Sequence, residues 1–219
     1  MHIPDGLMWP IIMAIGWGVA IFALAIALRK EKTTMTNEKV PTMAVLAAGI
    51  FVAQMLNFPI VGGTTGHLLG ATLATLVVGP WAAIIVMSIV IIIQGFLFGD
   101  GGILAMGLNL VNMAVVAVAV STIVLRFTRT IKTEASVFSA AWCSIFVASV
   151  VCGLELAVSD MMAPGYYGIT WTVSIPMMTG LHSIIAIGEA LITISIATYF
   201  LRVYPALIRN VRRAPEAAT

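Results

Sequence analysis

The chain has 219 residues, of which 61% are hydrophobic and only 9% carry a charge. Soluble domains usually carry about a quarter charged residues. A soluble protein this apolar would expose large hydrophobic patches to water. The composition therefore argues against a soluble protein and for one surrounded by lipid. The net charge of +2 says little by itself, and no nucleic-acid partner is predicted.

The chain begins Met-His-Ile-Pro-Asp-Gly-Leu, without a Lys or Arg and with the acidic Asp5. A secretory signal peptide begins with a basic segment, so we expect this N-terminus to be present in the mature protein. His2 then makes the chain end a chelator. The α-amine of Met1, the deprotonated amide nitrogen of His2 and the Nδ1 atom of its imidazole supply three nitrogen donors roughly in one plane. Square-planar nitrogen sites suit Ni(II) or Cu(II).

Seven apolar stretches follow, and a spanning helix needs roughly 20 mostly apolar residues. The third stretch is too short to cross a membrane alone. The glycine-rich loop before it, residues 57–66, is predicted to dip into the protein, because non-helical backbone at membrane depth must be buried or line a cavity. The whole chain, 1–219, is predicted to be one all-α transmembrane domain, a polytopic bundle of seven helices. The predicted spans are 8–29, 41–57, 67–79, 80–98, 103–125, 136–159 and 175–203.

All eleven basic residues fall in three segments, which seven spans place on one side of the membrane. The positive-inside rule makes that side cytoplasmic. The N-terminus is therefore predicted outside the cell and the C-terminus inside. The basic residues are Arg29, Lys30, Lys32 and Lys39; Arg126, Arg129 and Lys132; and Arg202, Arg209, Arg212 and Arg213.

Ionisable groups within spans are rare and indicate functional sites by default. His67 follows the glycine-rich loop on the predicted side of the N-terminus, so it is the best candidate for a fourth metal-binding nitrogen. His182 and Glu189 are two helical turns apart and share a face, where they could orient the site, relay protons or bind a partner. An interhelical hydrogen bond is the simpler interpretation of that pair. Glu155 lies near the outer end of the sixth span and could simply reach water.

Three motifs carry a resemblance to a known family. They are Met-His-Ile-Pro-Asp-Gly at 1–6, Gly-Gly-Thr-Thr-Gly-His-Leu-Leu-Gly at 62–70 and Ile-Gly-Glu-Ala-Leu-Ile-Thr at 187–193. With these motifs the chain resembles, over nearly its whole length, the NikM/CbiM family, the substrate-binding components of energy-coupling factor transporters for nickel and cobalt. The resemblance implies seven spans and a metal near the outer face. Its ligands would be the amine of Met1, the amide and imidazole of His2, and His67.

The resemblance also implies partners, namely a transmembrane coupling subunit and cytoplasmic ATPase subunits. The chain has no Gly-x-x-x-x-Gly-Lys-Ser/Thr loop, so ATP hydrolysis is expected on those partners and not here. A small accessory membrane subunit, fused in some family members, is expected to be separate. The predicted function is high-affinity binding of Ni(II) or Co(II) at the outer face of the cell membrane, as cargo for uptake, with no cofactor and no enzymatic activity.

The sequence is compatible with three other functions. A stand-alone secondary carrier could couple protons through Glu155 and Glu189. An intramembrane metalloenzyme is disfavoured, because the His-Glu-x-x-His helix motif is absent and no paired acid and base surround the histidines. A purely structural membrane subunit is the third alternative.

Overall fold

The computed structural model of the chain describes residues 1–56, 58–60 and 64–204, and within them it contains seven helices. This confirms the predicted all-α fold. Part of the glycine-rich loop, residues 57 and 61–63, lies outside the described residues. The helices are α1 Pro10–Lys32, α2 Lys39–Met55, α3 Ala71–Val78, α4 Pro80–Phe98, α5 Met106–Phe127, α6 Thr133–Met162 and α7 Trp171–Val203.

Five helices are long and apolar enough to span a membrane, namely α1, α4, α5, α6 and α7. The chain is therefore a multi-pass membrane protein. The α2 helix is apolar but has only 17 residues, or about 25 Å at 1.5 Å per residue. The α3 helix has 8 residues and is only about 12 Å long, which agrees with the prediction that the third stretch cannot cross alone.

A short antiparallel β-ribbon, which the sequence did not predict, precedes α3. Strand β1, Phe58–Ile60, pairs with strand β2, Thr64–Gly66, and Phe58 lies opposite Gly66. The predicted third span, 67–79, is helical only from Ala71. Gly70 has a φ of +83°, a left-handed conformation that ends the extended segment and starts the helix.

The α3 helix lies at the centre of the bundle, and nearly all its side chains are buried. A helix that is apolar on every face must be surrounded by other elements, which here are mainly α4, α5 and α6. Polar side chains tie these elements together. The Thr72 and Ser121 hydroxyls are 2.7 Å apart, and the Ser144 hydroxyl donates to the Ala117 carbonyl at 2.9 Å.

The α1 helix packs closely against α5 because a glycine allows it. A Cβ atom on Gly107 would lie 2.3 Å from the Trp17 backbone nitrogen, which no side chain could tolerate. Small residues of this kind let membrane helices approach each other. The Trp17 indole nitrogen also donates to the Leu104 carbonyl at 3.0 Å. This contact fixes the helix from which the N-terminal segment extends.

Candidate metal centre

The N-terminal segment, residues 1–9, is anchored to the bundle through its backbone. Asn109 of α5 makes two hydrogen bonds to Ile3. Its Oδ1 accepts the Ile3 N–H at 2.8 Å, and its Nδ2 donates to the Ile3 carbonyl at 3.2 Å. The N–H of Gly102 donates to the same carbonyl at 2.8 Å. Ile3 is therefore held in a fixed position immediately after His2.

A second anchor lies at Asp5. Its carboxylate accepts the N–H groups of Ile103, Leu104 and Ala105 at 2.9, 2.8 and 3.0 Å. These N–H groups immediately precede α5, where a helix start leaves backbone donors without intrahelical partners. Negative charge is also favourable at this end of a helix.

Two more bonds hold the segment farther along. The Leu7 carbonyl accepts the N–H of Gly168, in the loop between α6 and α7, at 2.7 Å. The Trp9 N–H donates to the Ser159 hydroxyl of α6 at 2.5 Å. The segment thus contacts α5, α6 and the loop before α7, which places the chain end inside the bundle.

Burial changes the charge state of the two N-terminal groups. Removal from water lowers the pKa of the Met1 α-amine below its usual value. Burial, followed by the nearby amine and His67, lowers the pKa of His2 to about 3. Burial therefore favours the neutral form of both groups. Neutral nitrogen is the form that binds a metal ion.

The structure brings His2 and His67 together, although 64 positions separate them in the sequence. Their ring centroids are 5.2 Å apart, with an angle of 39° between the planes. His67 Nδ1 lies 2.9 Å from the Leu68 carbonyl, which can only accept, so Nδ1 carries the proton. The Nε2 atom of His67 is then the nitrogen with a free lone pair.

Met1 and His67 line one small cavity of about 20 Å³. This volume is room for roughly one water-sized group, and hence for a single ion. The other described lining residues are Gly66, Leu69, Ile145, His182 and Ile185. The three predicted site residues are therefore neighbours: Met1 and His67 face the cavity, and the His2 ring lies against His67.

The His2 ring has polar neighbours beyond the cavity. Its Nδ1 atom lies 3.5 Å from the Asp100 carboxylate. Gln94, in a π-helical turn at the end of α4, lies beside the ring. The His2 Nε2 atom and both Gln94 amide atoms are buried, and within the described structure they make no hydrogen bond of standard geometry. π-Helical turns often occur at functional sites.

The backbone after His67 is held by a buried clamp. The Glu189 carboxylate of α7 accepts the N–H groups of Leu69 and Gly70 at 2.6 and 2.8 Å. The Gln54 side chain of α2 donates to the Leu69 carbonyl at 2.6 Å. Glu189 is only 3% exposed and acts on the backbone beside His67. Of the roles left open by the sequence, this geometry fits orientation of the site.

The remaining two intramembrane candidates, His182 and Glu155, have different surroundings. His182 lines the cavity, and its Nδ1 lies 2.8 Å from the Met178 carbonyl one turn earlier in α7. Glu155 does not line the cavity; its carboxylate accepts the Asn112 side-chain N–H at 2.6 Å.

The sequence did not predict the roles of Asn109, Gln54 and Asp5, because each side chain bonds to backbone groups far away in the chain.

Among the described residues, no group of three or more His, Cys, Asp or Glu side chains is placed to hold a metal ion. The Met1 amine and the His2 amide are the backbone donors next to the two histidines. The chelate at Met1, His2 and His67 stays a prediction, and the structure brings these three residues together.

Comparison with known proteins gives consistent matches. Residues 2–207 match the family described as "cobalt uptake substrate-specific transmembrane region". A relative from Haloquadratum walsbyi, provisionally named a metal transport protein, is 37% identical over 95% of this chain and 93% of its own. The fused nickel transport protein NikMN of Rhodobacter capsulatus is 34% identical, over 99% of this chain and 66% of that longer protein. A crystal structure described as a transition metal transporter is 34% identical, with a TM-score of 0.87 over 93% of each chain.

Proposed function

Because the chain belongs to the CbiM family of nickel and cobalt transport proteins, we propose that it is the substrate-binding component and holds Ni(II), or Co(II), at the cavity beside its N-terminus. The observation that carries this proposal is the convergence of His2, His67 and the Met1 amine, whose pKa is lowered by burial. The bound ion is cargo, and ATP-driven uptake removes it from the site.

Four nitrogen atoms form the proposed site. The Met1 amine and the His2 amide close a five-membered chelate ring, and the His2 amide and Nδ1 close a six-membered ring. His67 Nε2 supplies the fourth donor, since Nδ1 is engaged by the Leu68 carbonyl. Planar four-nitrogen coordination favours Ni(II). The anchors at Ile3 and Asp5 hold the chelate in place before the ion arrives.

Transport requires partners. We infer a transmembrane coupling subunit and cytoplasmic ATPase subunits, because the chain has no phosphate-binding loop of the Gly-x-x-x-x-Gly-Lys-Ser/Thr type. A separate accessory membrane subunit is part of the same proposal. The N-terminus lies on the outer side of the cell membrane in this arrangement, and the ion enters from there.

Two contacts argue against a proton-coupled secondary carrier. Both carboxylate oxygen atoms of Glu189 accept backbone N–H groups, which hold the side chain in place. Glu155 is bonded to Asn112 and does not line the cavity. The two acids proposed for proton coupling are thus committed to structural hydrogen bonds.

The terminal-amine site is tested by moving the amine. Mass spectrometry first establishes that the purified protein begins Met-His. Two residues are then added before Met1, and Ni(II) binding is measured by calorimetry beside His2→Ala and His67→Ala. We expect all three variants to bind roughly 100-fold more weakly or not at all. The matched control carries the same two residues at the C-terminus. Wild-type affinity in the N-terminally extended protein would overturn the proposal.

A further inference from the structure

The His2 ring is flanked by two polar side chains that do not belong to the proposed set of four nitrogen atoms. Its Nδ1 atom lies 3.5 Å from the Asp100 carboxylate, and the Gln94 side chain lies beside the ring. Gln94 begins the π-helical turn Gln94–Phe98 at the end of α4, and its backbone carbonyl accepts the N–H of Asp100 at 3.1 Å. The backbone thus holds both flanking residues in place around His2.

The Gln94 side chain is completely buried, yet its amide group lacks a well-formed hydrogen bond. Within the described residues neither its Oε1 nor its Nε2 atom makes a hydrogen bond of standard geometry, and the same holds for the buried Nε2 atom of His2. A buried polar atom that stays unpaired keeps the full cost of its removal from water. These three atoms, on neighbouring side chains, therefore indicate a hydrogen bond that is completed when the site is in use.

The proposed chelate determines which nitrogen atom of His2 must carry the proton. A neutral imidazole has one N–H group and one nitrogen atom with a free lone pair. The chelate binds the metal ion through Nδ1, so the proton must lie on Nε2. A metal-bound histidine usually donates this second N–H to a carbonyl or carboxylate oxygen, which fixes the tautomer and the orientation of the ring.

Asp100 and Gln94 favour opposite tautomers of this ring. The Asp100 carboxylate lies on the Nδ1 side, so it favours a proton on Nδ1, the form that cannot chelate. The Oε1 atom of Gln94 is a buried acceptor that is available to a proton on Nε2. The last torsion of a glutamine side chain is broad, so a rotation of the amide group can complete this bond.

We propose that Gln94 is the positioning residue that sets the tautomer of His2: its Oε1 atom accepts the Nε2–H of the ring and leaves the Nδ1 lone pair for the metal ion. This inference rests on the proposed function, because it takes Nδ1 of His2 as a ligand. Gln94 does not touch the ion in this arrangement. It acts through His2, by determining which ring nitrogen presents a lone pair.

The tautomer is measured directly, by NMR of the ring nitrogen atoms in metal-free protein that carries isotope-labelled histidine. The chain has three histidines, and the Nδ1 atoms of His67 and His182 lie 2.9 and 2.8 Å from backbone carbonyls, which only accept. Those two rings should carry their protons on Nδ1, whereas His2 should carry its proton on Nε2. Loss of one set of signals in His2→Ala assigns that set to His2.

Two substitutions of Gln94 separate its acceptor from its size. Gln94→Met removes the acceptor but keeps a side chain of similar length. We expect the proton of His2 to move to Nδ1, which faces Asp100, and Ni(II) to bind about tenfold more weakly or worse in calorimetry. Gln94→Glu keeps an oxygen acceptor at the same position, so it should retain the Nε2–H tautomer and bind Ni(II) more tightly than Gln94→Met does.

Gln54→Met is the matched control for the loss of a buried glutamine. Gln54 is also a buried helical residue, but its side chain donates to the Leu69 carbonyl. Whatever this substitution does to Ni(II) binding, the tautomer of His2 should stay as in the wild-type protein. A change of tautomer in both glutamine variants would mean that general disturbance of the packing, and not the Gln94 acceptor, moves the proton.

A proton on Nδ1 of His2 in the wild-type protein would overturn the inference, even if Gln94→Met folds poorly. A Gln94→Met variant that keeps the Nε2–H tautomer, or that loses it and still binds Ni(II) with wild-type affinity, would also overturn it. Failure of the proposed function has a different signature. If the N-terminal extension leaves Ni(II) binding intact, the four-nitrogen site itself is wrong. If the extension abolishes binding and Gln94→Met keeps the tautomer, only the role of Gln94 is wrong.

Discussion

The two carboxylate oxygen atoms of Glu189 accept the N–H groups of Leu69 and Gly70, two and three residues after His67. In Glu189→Gln, one oxygen becomes an NH₂ donor that faces a backbone donor. We expect Ni(II) affinity to fall about tenfold, the low end for residues that orient ligands. Loss of a buried hydrogen bond should also lower stability by about 1–3 kcal/mol. Calorimetry and thermal unfolding measure the two effects.

The control for this variant is Glu155→Gln. Glu155 is likewise a hydrogen-bonded carboxyl group within a helix, though only half-buried, and it does not line the cavity. Its Ni(II) dissociation constant should stay within threefold of the wild-type value. An equal loss of affinity in both variants would mean that the clamp on the His67 backbone has no specific role.

The pKa values of Met1 and His2 set the number of protons released when Ni(II) binds. Burial lowers both pKa values, to about 3 for His2, which favours the unprotonated form of each group before the metal binds. Only the His2 amide proton then leaves, about one per ion. In a free Met-His-Ile-Pro peptide the amine has an ordinary pKa of about 7.7–8.0 and is mostly protonated, so about two protons should leave.

Calorimetry in buffers of different ionisation enthalpy counts these protons. Close to pH 7, affinity should fall about tenfold per pH unit for the protein and about 100-fold for the peptide. In the protein and in the peptide alike, affinity falls as the pH falls, because protons compete with the metal ion for the nitrogen atoms. Release of two or more protons by the protein would show that burial does not keep the amine neutral.

At the scale of elements, the N-terminal segment depends on a glycine that faces it. A Cβ atom on Gly102 would lie 2.1 Å from the Asp5 carboxylate and 2.4 Å from the Asp5 nitrogen. Gly102→Ala must therefore displace the segment that carries His2. We expect Ni(II) binding to weaken about tenfold or more, because small displacements of a ligand set are costly. Equilibrium binding to the purified variant measures this.

Gly18→Ala serves as the control for this substitution. Gly18 lies in α1, and an added Cβ would meet nothing within 4 Å. Alanine also has the better helix propensity, so the fold should be retained or slightly stabilised. If Gly102→Ala binds Ni(II) as tightly as Gly18→Ala does, the anchoring of residues 1–9 is not what positions His2.

Hydropathy predicts these elements well because lipid demands long apolar helices. The seven helices and the short third stretch were all readable from the sequence. The start of α3 was not, since it depends on the left-handed Gly70. The β1–β2 ribbon was missed for a similar reason: it pairs backbone groups in a segment without a strand pattern.

The candidate site was readable only in part. The chelating potential of Met1 and His2 is local chemistry, and it can be inferred from two residues. The Asn109 bond to Ile3 joins positions 106 residues apart, and the Glu189 bond to Leu69 joins positions 120 apart. No periodicity or spacing encodes such pairs. They arise from the packing of α5 and α7 around the cavity.

Across the whole molecule, basic side chains recur in the last turns of three helices. Arg29 and Lys30 lie in the last turn of α1, Arg126 in the last turn of α5 and Arg202 in the last turn of α7. Of the remaining basic residues, Arg209, Arg212 and Arg213 lie outside the described residues. Seven predicted spans would place the two chain ends on opposite sides, and the positive-inside rule then predicts that Met1 lies outside the cell.

This orientation is tested by labelling single cysteines in a variant without Cys143 and Cys152. Tyr166→Cys lies in the loop between α6 and α7, where Tyr166 is 85% exposed, and Thr130→Cys lies in the exposed loop between α5 and α6. A membrane-impermeant maleimide should label Tyr166→Cys in intact cells and Thr130→Cys only after permeabilisation. Nickel uptake by each variant confirms that it is correctly inserted. The reverse pattern would place the N-terminal metal site on the cytoplasmic side and make it a site of release and not of capture.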